Sequence, residues 1–366
     1  MAVIQLNALR LNAVDANVIA LEGVRWRGSH AGTPPIVPPE EPEPDTPVEP
    51  DVPSNPEVDE NGYIIFEDVE VARICAEKWG DGTGITLEQA AAVTSVGTVF
   101  RDNTTVTSFN EFGKFTKAQA IPANAFNGCT SLSSIDLSNV TSLGASALYG
   151  CTSLYIEDMA MPKLETLGKN ALYDVKIKAI SDFGKITTLP TADSSACNYG
   201  NRELLECVLL PDSLNAIPGY SFYAYAKIAN FKAPDSVTSI DAASFKNCSS
   251  LLTFIGIGGV TIGAEAFSGS KKLKAVVFGE GVASFAWRPF RNCSSLAALV
   301  LQTAVPPTIS ELLTEASSSS RVYVPDSSVE AYRSATNWNS YASRIFPISQ
   351  LPTDNPELYE EIKQYL

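Results

Sequence analysis

One seven-residue pattern recurs along this chain, and it limits the fold more than any other feature. Phe126-Asn-Gly-Cys129-Thr-Ser-Leu132 returns as Leu148-Tyr-Gly-Cys151-Thr-Ser-Leu154, Phe245-Lys-Asn-Cys248-Ser-Ser-Leu251, Phe267-Ser-Gly-Ser270-Lys-Lys-Leu273 and Phe290-Arg-Asn-Cys293-Ser-Ser-Leu296. Weaker copies begin at Leu172, near Ser194 and at Phe222, and successive copies start 22 to 28 residues apart. Self-similarity at that period means a solenoid, because one unit cannot bury its apolar face alone and a stack of units can.

Each copy continues as L-x-x-φ-x-φ, where φ is apolar: Leu204, Cys207, Leu209; Ile228, Phe231, Ala233; Leu273, Val276, Phe278; Leu296, Leu299, Leu301. Alternation at period two predicts a short strand with one buried face. A turn follows (Pro211-Asp212-Ser213, Pro234-Asp235-Ser236, Gly279-Glu280-Gly281), then a second apolar pair such as Val237 and Ile240. The expected fold is therefore an α/β repeat solenoid, a stack of short parallel strands with small caps at each end.

Outside the repeats the chain falls into distinct pieces. Residues 31–60 hold ten prolines, nine acids and no Lys or Arg. Proline favours polyproline II and like charges repel, so this stretch is an extended tether, roughly 70 Å from Pro34 to Pro56 at about 3.1 Å per residue. It accounts for nine of the 15 net negative charges of the 366-residue chain. Residues 1–30 carry alternating apolar residues, among them Leu6, Leu9, Leu11 and Trp26, yet are too few to bury a core. They read as a docking segment that adds to a larger partner by strand addition, or else as a frayed terminus. Gln5, Asn7, Arg10, Asn12, Asp15 and Asn17 break every apolar run, so neither a secretory signal nor a membrane span is expected here. The remaining divisions are a helical lead-in at 61–120, repeats at 121–310, a C-terminal cap at 311–349 and a tail helix at 350–366.

Catalysis finds little support. The single histidine is His30, no C-x-x-C pair occurs, and no phosphate loop or dinucleotide fingerprint appears. A net charge of -15 argues against nucleic acid as a partner. In the lead-in, Glu67 to Lys78 and Leu87 to Val93 read as helices around Gly80-Asp81-Gly82-Thr83-Gly84. That resembles a calcium helix–loop–helix, but the ligand positions fall on Lys78, Gly80, Gly82 and Gln89, none a carboxylate. Asp136 and Asp158, at equivalent points of neighbouring repeats, are the nearest thing to a glycosidase pair, and one such pair in a ladder arises by chance. The expectation is no catalytic residue, no metal and no cofactor. Cys129, Cys151, Cys197, Cys248 and Cys293 share one repeat position, interchangeable with Val175 and Ser270, and are expected to be free and buried, like Cys75 and Cys207.

The pattern I-x-x-x-A-F-x-x-C-x-x-L-x-x-I-x-L resembles the BspA-like leucine-rich repeats. So do the lead-in from Phe66 through Asp68, Glu70, Val71, Arg73, Ile74 and Cys75 to Trp79, and the ending Val322-Tyr-Val-Pro-Asp326 with Val329, Tyr332, Trp338 and Tyr341. The resemblance spans about residues 64–349. It implies binding or adhesion without catalytic residues, in proteins on the surfaces of gut anaerobes and in phages that infect them.

Two surface columns are candidate binding faces. The position after the repeat Phe holds Asn127, Tyr149, Tyr173, Ser195, Tyr223, Lys246, Ser268 and Arg291; Tyr149, Tyr173, Tyr223 and nearby Tyr225 would make an aromatic strip suited to sugar rings or a receptor. The bland alternative is turn tyrosines lying on their own repeats. The outward strand face is polar early (Ser134, Asp136, Asp158, Glu206) and apolar later (Ile255, Ala275, Val277, Ala298, Val300). The apolar half should be covered, by the C-terminal tail or by another subunit, which makes Ile255, Val277 and Val300 candidate partner contacts. Together these expectations describe a phage virion protein, a head or tail fibre-like appendage and a homotrimer or dimer. Residues 1–30 would plug it into a virion structural protein, and its repeats would meet a host-surface glycan or protein. The alternative is a bacterial cell-surface adhesin with an unusual export signal.

Overall fold

The structure is a computed structural model that describes residues 57–191, 199–256 and 258–366. Residues 1–30 with their Leu6, Leu9, Leu11 and Trp26, most of the tether, and Ser195 and Cys197 lie outside the described residues. The chain divides into two units, Met1–Pro53 and Ser54–Leu366. Near the start of the described residues, Val58 bridges Ile64 in antiparallel fashion.

The entry to the solenoid is a pair of helices, α1 (Val69–Trp79) and α2 (Leu87–Ala92). Asp68 starts α1 where the spacing suggested Glu67: one carboxylate oxygen accepts from the amides of Glu70 and Val71, the other from Thr107. Thr86 and Gln89 form a capping box at α2. Val71, Ile74 and Cys75 seal the first coil, supplying the polar-faced end that a repeat stack needs.

From there the chain winds in parallel coils. The front sheet comprises β1 (Tyr155–Ala160), β2 (Lys176–Asp182) and β3 (Cys207–Val208), then β4 (Asn230–Lys232), β5 (Thr253–Gly256), β6 (Ala275–Phe278), β7 (Ala298–Leu301), β8 (Arg321–Val324) and β9 (Ile345–Pro347). It runs as three strands β1-β2-β3 and six strands β4 to β9, all parallel. A second ladder of two-residue strands carries the other apolar pair of each repeat, with Ile217, Ile240, Ile262, Phe285 and Ile309 in register. Among the described residues the α-helices lie at the two ends of the stack, with α3 (Val329–Ser334), α4 (Leu351–Asp354) and α5 (Pro356–Ile362) at the far one.

The recurring heptapeptide forms the turn between the ladders, and its ring is the spine of the core. Phe222, Phe245, Phe267 and Phe290 stack face to face at 5.2, 5.5 and 5.5 Å, within 13° of parallel. The backbone passes through left-handed geometry two residues after the ring position, at Gly128, Gly150, Asp174, Ala224, Asn247, Gly269 and Asn292, which is why Gly and Asn predominate there. The cysteines occupy a donor position. Cys129, Cys151, Cys248 and Cys293 each point the thiol at the carbonyl of the preceding coil's ring residue, at 2.9 to 3.2 Å. The Ser270 hydroxyl makes the same bond to Phe245 at 2.8 Å. Burial pushes the thiols of Cys151, Cys248 and Cys293 up to about 12.

One repeat is read a residue out of register by its sequence. In and just before β3 the inward residues are Leu205 and Val208, both buried; Cys207 is exposed and Leu209 is 41% exposed. The double leucine at 204–205 offers two starts for the same pattern, and a slip of one residue exchanges the faces of a strand. Pairing decides it, since Ile180 of β2 lies opposite Val208 and Ala179 opposite Cys207.

Candidate binding surface

The turn side of the stack presents aromatic rings because most heptapeptides place the residue after their ring at the surface, as at Asn127, Tyr149, Tyr173, Tyr223, Lys246 and Arg291, although Ser268 is buried. Tyr149 is exposed and stacks on half-buried Tyr173, centroids 4.7 Å apart and planes 12° apart. Further along, half-buried Tyr223 lies 5.7 Å from Tyr220, the Arg202 guanidinium sits over it at 5.5 Å, and Asn247 donates to its hydroxyl at 3.4 Å. Tyr225 does not belong to the strip. It is buried edge-on against Phe222, and its hydroxyl accepts from the amide of Tyr199 at 3.2 Å. Three residues after the ring the chain has turned inward again, so Tyr225 takes the thiol position of its coil.

The sequence reading missed Trp287, which is 43% exposed on the same side with the Arg288 guanidinium stacked on it at 4.7 Å. The signal was available: Trp287 stands three residues before its ring, where other coils have Ala123, Ala145, Ala242 and Ala264. From the coil of Tyr149 to that of Trp287 is six steps, roughly 29 Å at about 4.8 Å per step.

Charge on this face is balanced. Lys246 and Arg291 flank Glu265 at 2.6 and 3.8 Å, Arg291 and Arg288 reach Glu315 at 2.7 and 3.2 Å, and Arg288 holds Glu311 at 2.5 Å. The Arg288 hydrogen bond keeps Glu311 below its ordinary range. Three cations thus answer three carboxylates. Around Trp287 the ridge thus pairs flat apolar faces with charges that answer one another, while a guanidinium lies on Tyr223 further back.

The front sheet is divided. Its early half is open and polar: Tyr155 is 50% exposed and donates to Glu157 at 2.5 Å, Lys178 pairs with Glu157 at 2.6 Å, and Asp158 and Glu206 are exposed. Its later half is covered. Ile255, Ala275, Val277, Ala298, Val300 and Tyr323 are buried beneath Leu351, Leu358 and Ile362 of the C-terminal tail. Ile255, Val277 and Val300 are therefore filled by the chain's own tail in this structure, and do not stand open to a partner subunit.

Asp136, Asp158 and the loop after α1 are each placed by their local strands and contacts. The strand before Asp136, Ser134–Ile135, pairs with Ser108–Phe109, whereas Asp158 lies on β1, opposite Ala179. Asp81 spends one oxygen on the amides of Thr83 and Gly84 and the other on the Tyr63 hydroxyl, so the loop after α1 closes on itself. Among the described residues no three His, Cys, Asp or Glu gather as a metal site would require, and no helix is long and apolar enough to cross a membrane.

Comparison with known proteins follows the same lines. No curated protein matches the chain. Among solved structures it is similar to a leucine-rich repeat protein from Bacteroides ovatus, at 19% identity over 63% of this chain and 65% of that one, with a TM-score of 0.35. It is also similar to the pneumococcal vaccine antigen PcpA, at 15% identity over 63% and 64% of the two chains (TM-score 0.34). A third is a leucine-rich repeat protein of T. pallidum, at 18% over 59% and 84% (TM-score 0.35). The chain thus spans just under two thirds of the first two. The BspA type leucine rich repeat region matches in overlapping segments, 92–199, 119–252, 194–297 and 253–340, which together cover more than half of the chain. With the stacked rings, the thiol column and the two parallel ladders in place, this chain belongs to the BspA-type leucine-rich repeat family.

Proposed function

We propose that the chain is a non-enzymatic adhesion module that binds neutral glycan along the turn side of its repeats. The observation that carries this reading is the row of exposed and half-exposed rings, Tyr149, Tyr173, Tyr220, Tyr223 and Trp287, with the charges beside Trp287 paired among themselves. Aromatic faces supply rigid contact area at little entropic cost, and repetition along a stack suits an extended ligand.

The setting we propose is a phage particle. Residues 1–30 dock onto a virion structural protein, the Pro/Glu tether holds the repeats away from it, and dimers or trimers of this fibre-like appendage gain avidity from many weak contacts with a host surface. The support lies in the sequence, where an apolar segment precedes a long acidic, proline-rich spacer. A bacterial surface adhesin would use the same repeats on a different anchor.

The test is binding of the full chain to an array of neutral oligosaccharides, beside the double variant Tyr149→Ala/Tyr223→Ala. Specific binding by the parent chain and its loss in the variant, at unchanged thermal stability, is the expected result. Equal binding by both would remove the turn-side site.

A further inference from the structure

We infer that the outer face of strands β5 to β8 is a docking groove for a short helical segment, that the chain's C-terminal segment is its resident occupant, and that the same segment of a second copy can take its place. This goes beyond the proposed adhesion and stands without it.

The groove is written in the strand register. Ala275 and Ala298 lie side by side in one row, with Ile255, Val277, Val300 and Tyr323 in the next. Small residues beside larger ones leave a furrow on an otherwise flat sheet. These side chains form an apolar cluster separate from the coil interior, completed only by the tail. On the tail, Leu358 and Ile362, four apart, share one face of α5, and Leu351 joins them from α4 across the break at Asn355.

The occupant is held by the face and little else. α4 and α5 have four and seven residues, too few to persist as free helices. Asp354 pairs with Arg321 and accepts from Tyr323, and Gln302 donates to the last carbonyls, those of Tyr365 and Leu366, at 2.7 and 3.2 Å. The tail meets the last strand through a single three-residue turn, Ile348–Gln350. An open cleft of about 600 Å³ runs under the α4–α5 junction, between Lys274 and Ala297 on one wall and Asp354 and Glu357 on the other. The contacts named here join tail to sheet, so a second copy offers the same set. Only the connection differs, which is the condition for exchange of an identical element between protomers. Exchange makes a dimer whose population rises with concentration.

The experiment places a protease site between Ser349 and Gln350 of the full chain, so that the protein folds before it is cut. After cleavage, a fluorescent synthetic peptide, Gln350–Leu366, is added. The expected result is saturable uptake of the peptide, with the Leu358→Asp peptide binding at least about 30-fold more weakly. No uptake, a cut tail that never exchanges over a day, or equal binding of the Leu358→Asp peptide would overturn the inference. Should the inserted site prevent folding, native mass spectrometry of heavy and light full chains mixed at high concentration decides: mixed dimers support exchange, and monomer alone refutes it.

Discussion

Replacing Phe245 with alanine tests the spine of the solenoid. Its ring is fully buried, stacked on Phe222 at 5.2 Å and Phe267 at 5.5 Å, and met edge-on by Phe231 at 4.6 Å and Phe254 at 5.1 Å. Removing a buried phenyl ring costs about 3–5 kcal/mol, and each well-placed ring pair adds about 0.5–1.5 kcal/mol beyond its area. The site is poorly able to collapse, because its backbone is tied to the next coil by the bond from the Phe245 amide to the Ala266 carbonyl at 2.7 Å. The loss should therefore sit at the upper end, about 5 kcal/mol, comparable with the whole stability of many domains. A stack is held by nearest-neighbour interfaces, so the damage should be local and can split the unfolding transition. Urea unfolding gives the size, and hydrogen exchange gives the place: amides of residues 222–267 should lose protection ahead of those at 121–143. A loss below about 1.5 kcal/mol, or one no larger than that of exposed Tyr149→Ala, would refute the account of the ring column.

Three further outcomes follow from the same structure. With thiols near 12, only ~10⁻⁴ of Cys151, Cys248 and Cys293 is thiolate at pH 8, so iodoacetamide should label exposed Cys207 first under native conditions; rapid labelling of Cys248, read by mass spectrometry, would contradict this. The Arg321 hydrogen bond holds Asp354 below the ordinary carboxylate range, so its contribution is full above about pH 4 and fades as pH falls through the lower folded value. Pepsin cleavage within residues 351–365 should accordingly rise at the acid end before cleavage in the repeats, and a flat profile would contradict it. Gly263→Ala would set a methyl group 2.4 Å from the Ala242 amide nitrogen; the expected cost is about 2–3 kcal/mol, seen as a lower Tm, and an unchanged Tm would show that the coils are looser than described.

The repeats were legible because stacking imposes the same demand on every coil. A ring, a left-handed turn two residues later, a small hydrogen-bond donor and a strand recur because each coil solves one packing problem. The reading failed where a coil departs from that rule. Leu204-Leu205 offered two registers, and only pairing with β2 chose between them. Tyr225 was assigned by nearness to Tyr223, although two residues along a tight turn is enough to pass from surface to core. Trp287 was overlooked because it occupies an alanine position and no repeat template flags it. The apolar late face was visible as a violation of strand alternation, but the sequence could not say whether tail or partner covers it. Leu351, Leu358 and Ile362 of the tail supplied the missing half only once the strand register was known.

The most direct test of the account is peptide mass spectrometry on virus particles purified from a culture that makes this chain, beside the envelope fraction of the same cells. For a virion protein the tryptic peptides Met1–Arg10 and Leu11–Arg25 are expected in the particles, together with repeat peptides and stoichiometric with a capsid protein. Repeat peptides confined to the cell envelope, with those two absent, would contradict the virion reading and make the chain a surface adhesin.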